Sequence, residues 1–398
     1  MRDKIHALTP NLTGRRLDGK PGPETVPGPA KTAIRIPVYR PDLSGNEYTY
    51  VNECLDSGWI SSKGKFVSVF EKAFADYLGV EFATGVCNGT TALHLALLAL
   101  GIGPGDEVIV PTLTYIAAVN AISYTGALPV FVDSLSADWQ MDPADIARKI
   151  TPRTRAIMVV HLYGHPCNMA EISALAKRHG LFVIEDAAEA FGASFDGRLV
   201  GGFGDISTFS FYGNKTITTG EGGMVVTNDP TLFDRAKHLK GQGLAEHRQY
   251  WHDVIGYNYR MTNICAAIGL AQLERCEDIL QRKRKLADLY ARNLAAAPVE
   301  IQGESPRARH SYWMVSILVP SLQDRDPLRE ALAAEGIETR PVFFPVHTMP
   351  MYAGRFQRHP VAEDIGWRGL NLPSWPGLSE GDVDEICMVI ARYFEAGW

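Results

Sequence analysis

Residues 156–189 read AIMVVHLYGHPCNMAEISALAKRHGLFVIEDAAE. Ala156 to His161 is a short apolar run, Met169 to Arg178 is a helical stretch, and Phe182 to Ile184 is a second apolar run. A strand, a helix and a strand in this order predict a crossover unit whose two strands are parallel. The second strand runs into Glu185-Asp186. In open α/β sheets the carboxyl ends of strands are where ligands bind.

The alternation continues outward from this unit. Strands are expected at Glu107 to Val110, Pro129 to Val132, Ile206 to Phe209 and Met224 to Thr227. Helices are expected at Glu47 to Leu55, Phe66 to Leu78, Leu232 to Lys240 and Asn263 to Asn293. Thr91 to Leu100 is nearly all apolar, so that helix should be buried on most sides. The pattern predicts an α/β fold with a mostly parallel central sheet flanked by helices. Beyond it the character changes, with a strand at Tyr312 to Val319, a helix around Pro327 to Glu335, a strand near Glu338 to Phe344 and a terminal helix from about Asp382 to Phe394. The expected division is a flexible extension over 1–35, a large α/β domain over 36–275 and a smaller α+β domain over 276–398. The extension carries five prolines and no sustained apolar period.

Composition narrows the classes. The chain has 398 residues, 46% hydrophobic and 21% charged, with a formal net charge of −6. That balance makes no case for nucleic acid or an anionic membrane as a partner. The six cysteines are scattered without a CxxC pair, which reads as reduced thiols. No leader and no apolar stretch near ~20 residues is visible, so a cytoplasmic location is expected.

Four features carry chemistry. Asn88-Gly89-Thr90-Thr91 precedes the apolar helix. Close backbone approach at Gly89, free amides and the Thr90 hydroxyl suit a phosphate, although an ordinary helix cap reads the same way. Asp186, at the end of its strand, is placed to keep a pyridine nitrogen protonated or simply to cap the next helix. A metal is disfavoured there, since no His or Cys stands at ligand spacing. Ser210-Phe211-Tyr212-Gly213-Asn214-Lys215 puts a lysine in a turn between two apolar strands. Burial would favour the neutral amine that condenses with a carbonyl, against the alternative of a solvated loop lysine. Ser210, five residues before Lys215, could reach the same phosphate as Thr90. Pro111 to Tyr115 offers an aromatic, Tyr115, either for stacking on a flat ring or for core packing. Lys215 precedes its glycines, unlike a phosphate-binding Walker loop, and no GxGxxG follows a first strand, so a nicotinamide dehydrogenase is set aside.

Taken together, Asn88-Gly89-Thr90, Glu185-Asp186-Ala187-Ala188, Ser210 to Lys215 and Gly220-Glu221-Gly222-Gly223 resemble the DegT/DnrJ/EryC1/StrS sugar aminotransferases. The resemblance runs from about Ile36 to the end and implies a fold-type I pyridoxal 5'-phosphate enzyme. Lys215 would then carry the cofactor and shuttle protons, Asp186 would pair with the ring nitrogen, Tyr115 would stack on the ring, and Glu189 would lie near the 3-hydroxyl. Gly89, Thr90 and Ser210 would hold the phosphate. Asn258 and Arg260 would reach the cofactor of a neighbouring subunit, which implies a homodimer or a dimer of dimers. Gly58 to Gly64, Pro111 to Val119, Tyr250 to Asn263 and Thr339 to His347 are most similar to members acting on GDP-4-dehydro-6-deoxy-D-mannose with L-glutamate as donor. His310, Arg340 and His347 become candidates for contacting the sugar nucleotide. In relatives that remove a sugar 3-hydroxyl, a histidine replaces the lysine, so Lys215 disfavours that reaction. Amination of a different nucleotide-linked keto-sugar stays open.

Overall fold

The strands of the central sheet follow one another with helices between them, as the crossover pattern requires. In this computed structural model, residues 33–355 and 357–395 are described. Most of the expected extension, residues 1–32, lies outside them. In chain order the strands are β1 (Phe82–Val86), β2 (Glu107–Pro111), β3 (Leu128–Val132), β4 (Thr154–Val160), β5 (Phe182–Asp186), the short β6 (Ser194–Phe195) and β7 (Arg198–Leu199), β8 (Ile206–Ser210) and β9 (Gly223–Thr227). Seven of them form one sheet in the order β1-β9-β8-β5-β4-β2-β3. The neighbours from β8 through β3 pair in parallel, while β9 runs antiparallel to both β8 and β1.

Helices cover both faces: α1 (Glu47–Ser57), α2 (Lys65–Leu78), α3 (Gly89–Ala99), α4 (Ile116–Tyr124), α5 (Pro143–Lys149), α6 (Met169–His179), α7 (Pro230–Lys240) and α8 (Asn263–Leu273). The two-residue period of a strand sorts the core. Along β4, Ala156, Met158 and Val160 pack with α3 and α4, while Ile157 and Val159 pack with Met169 and Ile172 of α6. A third cluster holds Phe70 and Phe74 of α2 against Phe209 and Phe211, and Phe74 meets the Phe209 ring edge-on at 5.0 Å. As expected from its composition, α3 is buried around most of its circumference.

Two local expectations are corrected. The Asn263–Asn293 helix breaks after Leu273 and resumes as α9 (Cys276–Asn293). Arg275 stands at the break with φ −114° and ψ 8°, its guanidinium held by Asp42 and Ser44. The strand near Glu338–Phe344 shrinks to β13 (Arg340–Pro341), because Pro341 and Pro345 have no amide to give a ladder.

The C-terminal part adds β10 (Glu300–Ile301), β11 (Ala308–Arg309), β12 (Val315–Leu318) and β14 (Gly369–Leu372), with α10 (Leu322–Ala334), α11 (Pro360–Arg368) and α12 (Glu380–Glu395). Its antiparallel sheet has the order β10-β12-β14-β13. α10 starts earlier than expected because Ser321 and Asp324 form a capping box. α9 serves both cores: Cys276, Ile279 and Leu280 pack near the aromatic cluster, and Leu286 and Tyr290 pack with β12 and α12. Among the described residues no helix is long and apolar enough to cross a membrane.

Candidate active site

The carboxyl ends of β2, β5 and β8 open on one edge of the sheet, with the start of α3 beside them. A cavity of ≈ 530 Å³ lies there, lined by Gly89, Thr90, Tyr115, Asp186, Glu189, Ser210 and Lys215 among others. Topology brings these residues together from four separate segments.

At the start of α3 the Asn88 side chain accepts the Thr91 amide, and Thr91 returns the bond in a capping box. The amides of Gly89 and Thr90 precede any intrahelical acceptor. A Cβ on Gly89 would lie 2.7 Å from Ser210 Cβ and 3.0 Å from its Oγ. Only glycine lets the helix start approach the end of β8 this closely.

Lys215 sits in the connection between β8 and β9. The connection is short because those strands are antiparallel neighbours and need no crossover helix. The lysine side chain is 13% exposed, with Nζ 4.0 Å from Glu189 Oε1 and 3.8 Å from the centroid of the Trp313 ring. Burial lowers its pKa, opposed by the charges of Glu189 and Asp186. Burial also pushes the Glu189 carboxyl up to about 7, against the opposing pull of Lys215 and the Tyr163 amide. Asp186 is likewise raised by burial, and its Oδ1 accepts the Ala188 amide at 3.1 Å. Immediately before it, Glu185 accepts the amides of Gly201, Phe203 and Gly204 and the Ser207 hydroxyl, and pairs with His161 at 3.1 Å. That network fixes the end of β5, and with it the backbone of Asp186.

Glu189 Oε2 accepts the Tyr163 amide at 2.8 Å. Tyr163 adopts φ 58°, an uncommon conformation for an aromatic residue. Its ring stacks on Phe343 at 5.2 Å and on Trp313 at 6.0 Å, forming an aromatic wall. Gly164, at φ +107°, is packed so closely that a Cβ would lie 2.8 Å from the Trp313 nitrogen. The sequence reading did not single out Trp313, Tyr163, Phe343 or Asn371, yet Trp313, Phe343 and Asn371 line the cavity.

The remaining candidates fall in different places. Tyr115 is 57% exposed at the cavity, with its ring 5.5 Å from Phe343. Arg340 lines the cavity and donates to Glu338 at 3.3 Å. His310 is buried, stacks on Tyr312 at 3.8 Å and accepts the Tyr312 amide on Nδ1. His347 is buried with Nδ1 2.6 Å from Thr112 Oγ1. Neither histidine lines the cavity. Asn258 is exposed outside the cavity of its own chain and accepts from Arg260 Nη2 at 3.2 Å. Among the described residues no cluster of His, Cys, Asp or Glu is arranged to hold a metal.

A family model described as the DegT/DnrJ/EryC1/StrS aminotransferase family matches residues 41–391. A GDP-perosamine synthase of Escherichia coli O157:H7 is 65% identical over 90% of this chain and 98% of its own. One of Vibrio cholerae is 51% identical over 90% of this chain and 99% of its own. The crystal structure of S. venezuelae DesV in complex with a ketimine intermediate superposes with a TM-score of 0.83 at 38% identity, covering 88% of this chain and 94% of that one. The chain therefore belongs to the DegT/DnrJ/EryC1/StrS family and is a pyridoxal-phosphate-dependent sugar aminotransferase.

Proposed function

We propose that the chain transfers the amino group of L-glutamate to C4 of GDP-4-dehydro-6-deoxy-D-mannose, giving GDP-perosamine and 2-oxoglutarate. The observation that carries the substrate is the 65% identity, along 90% of the chain, to a protein named for that product.

The donor set suits pyridoxal phosphate. Gly89 and Thr90 supply amides at a helix start, and Ser210 brings a hydroxyl beside them, which fits a phosphate. Lys215 supplies an amine of depressed pKa, and Asp186 a carboxylate for a ring nitrogen. When bound, the cofactor supplies an aldehyde that exchanges amines and a cationic ring that withdraws electron density. Lys215 Nζ would hold that aldehyde and, when free, would carry the proton of the donor α-carbon. Asp186 would hold the ring-nitrogen proton in place. Glu189 would meet the ring 3-hydroxyl, Tyr115 would cover a ring face, and Arg340 would meet an anionic substrate; all three line the cavity. Asn258 and Arg260 would serve the site of a second copy, in a homodimer or a dimer of dimers. Asn258 is exposed and Arg260 half-buried, and neither lines the cavity of its own chain, which favours that reading over a role in cis. The six free cysteines are compatible with a cytoplasmic setting.

The test is Lys215→Ala, assayed with glutamate and the keto-sugar nucleotide. The expected result is no covalently anchored visible band and a loss of turnover of at least about 10³-fold with the fold kept. Turnover at the wild-type rate would overturn the assignment. Wild-type protein that reacts with glutamate yet leaves this sugar unchanged would keep the chemistry and move the substrate to another keto-sugar.

A further inference from the structure

The apolar stripe of α9 runs Ile279, Leu280, Lys283, Leu286, Ala287, Tyr290, all buried at helical spacing. One member of that stripe is a lysine. Lys283 is 1% exposed and has no carboxylate within ion-pair reach among the described residues. Burial alone lowers its pKa to about 7. An apolar residue would satisfy the packing of the stripe at less desolvation cost, so the amine calls for another explanation.

Its contacts supply one. Lys283 Nζ donates to the carbonyl of Trp313 at 3.2 Å and to the carbonyl of Ser374, and lies 5.3 Å from the centre of the Tyr39 ring. Both aromatics touch the Lys215 turn. The Tyr39 hydroxyl donates to the Lys215 carbonyl at 2.6 Å. The Trp313 indole donates to the Asn214 carbonyl at 2.6 Å, and its ring faces Lys215 Nζ at 3.8 Å. Ser374 belongs to the same knot, since its amide donates to Val38, next to Tyr39, at 3.2 Å. Three chain segments, around Tyr39, Trp313 and Ser374, thus converge on one ammonium group one layer behind Lys215.

We propose that Lys283 is a positioning residue that fixes the backbone and amine of Lys215 through Tyr39 and Trp313. The proposal rests on Lys215 being the cofactor-bearing residue. Lys283 touches neither the cavity nor Lys215 itself, so its effect should fall on the chemical step and leave substrate binding alone. A displacement of about 1 Å at a reacting group costs on the order of 10²-fold in rate.

The experiment compares Lys283→Met, Tyr39→Phe and the double variant as full-length, cofactor-loaded protein, with rates normalised to bound cofactor. Expected are a kcat reduced about 10- to 100-fold in Lys283→Met, KM values for both substrates within about twofold, and a smaller kcat loss in Tyr39→Phe. The visible band should form at full stoichiometry in every variant, with its pH titration moved by about one unit in Lys283→Met. The double variant should lose less than the product of the single losses, because both act through one path. Wild-type kcat and an unmoved titration in Lys283→Met would overturn the proposal, as would fully multiplicative losses. Should Lys283→Met fail to fold, Tyr39→Phe with wild-type kcat and an unmoved titration overturns it alone. Absence of the band in wild-type protein would instead strike at the assignment of Lys215.

Discussion

Glu189 and Lys215 face each other at 4.0 Å across a site that burial makes hostile to charge on either. The carboxyl is pushed up to about 7, while the amine is pushed down from its ordinary value. Each, when ionised, stabilises the charge of the other. Replacing Glu189 by Gln removes the negative charge that raises the Lys215 pKa, so the amine should lose its proton at lower pH. In cofactor-free Glu189→Gln, the pH midpoint for modification of Lys215 by an amine-selective reagent should fall by about one unit. An unchanged or raised midpoint would show that Glu189 does not set the charge of the lysine. Lys215, Asp186 and Glu189 were all visible in the sequence, because each stands at a strand end or in a short turn within a recognisable run. Trp313 and Tyr163 were not, since no local pattern tells that a residue far along the chain will lie against Lys215. Lys283 left a signal that went unused: a cation at a position where the helical period demands an apolar side chain.

At the scale of elements, the start of α3 and the end of β8 meet over Gly89. Gly89→Ala would drive a methyl to 2.7 Å from Ser210 Cβ, while alanine favours the helix itself. The expected outcome is a thermal midpoint close to wild type but cofactor affinity weakened about 10- to 100-fold, read by titrating the visible band. The start of α11 carries a different sensitivity. His359 is buried with its ring 4.7 Å from that of His347, and burial, then His347, lowers its pKa to about 4. Because the folded state binds this proton less readily than the unfolded chain, its contribution is present above about pH 6.5 and lost as pH falls toward 4. His359→Gln should therefore reduce the loss of stability between about pH 7 and pH 5 by about 1–2 kcal/mol, measured by denaturant unfolding at each pH. Element boundaries show where sequence reading fails. β1 has no clear signal in the sequence, because Phe82-Ala83-Thr84-Gly85-Val86 is a sheet edge paired only with β9 and needs fewer apolar residues than a central strand. The break between α8 and α9 has no proline or glycine to announce it, since Arg275 is drawn out by Asp42, distant in sequence.

For the whole molecule, the alternation of strands and helices made the mostly parallel central sheet legible, while the four-stranded antiparallel sheet near the C-terminal end was not. What periodicity could not supply was direction. β9 has the composition of the parallel strands, and only the short path from Ser210 through Lys215 to Gly223 forces it to run the other way. The junction of Gly89 with Ser210 also has a consequence for how the protein is made. The two residues emerge from synthesis separated by every strand from β2 to β8, and they meet only once β8 and β9 have paired beside β1. A chain in which that edge has not formed has no phosphate cradle to offer, so pyridoxal phosphate selects for chains in which it has. Vitamin supply then acts as a ballast on the folded population, since a ligand at 1,000 times its dissociation constant adds about 4 kcal/mol. A cell short of the vitamin would lose these molecules to degradation as well as to idleness.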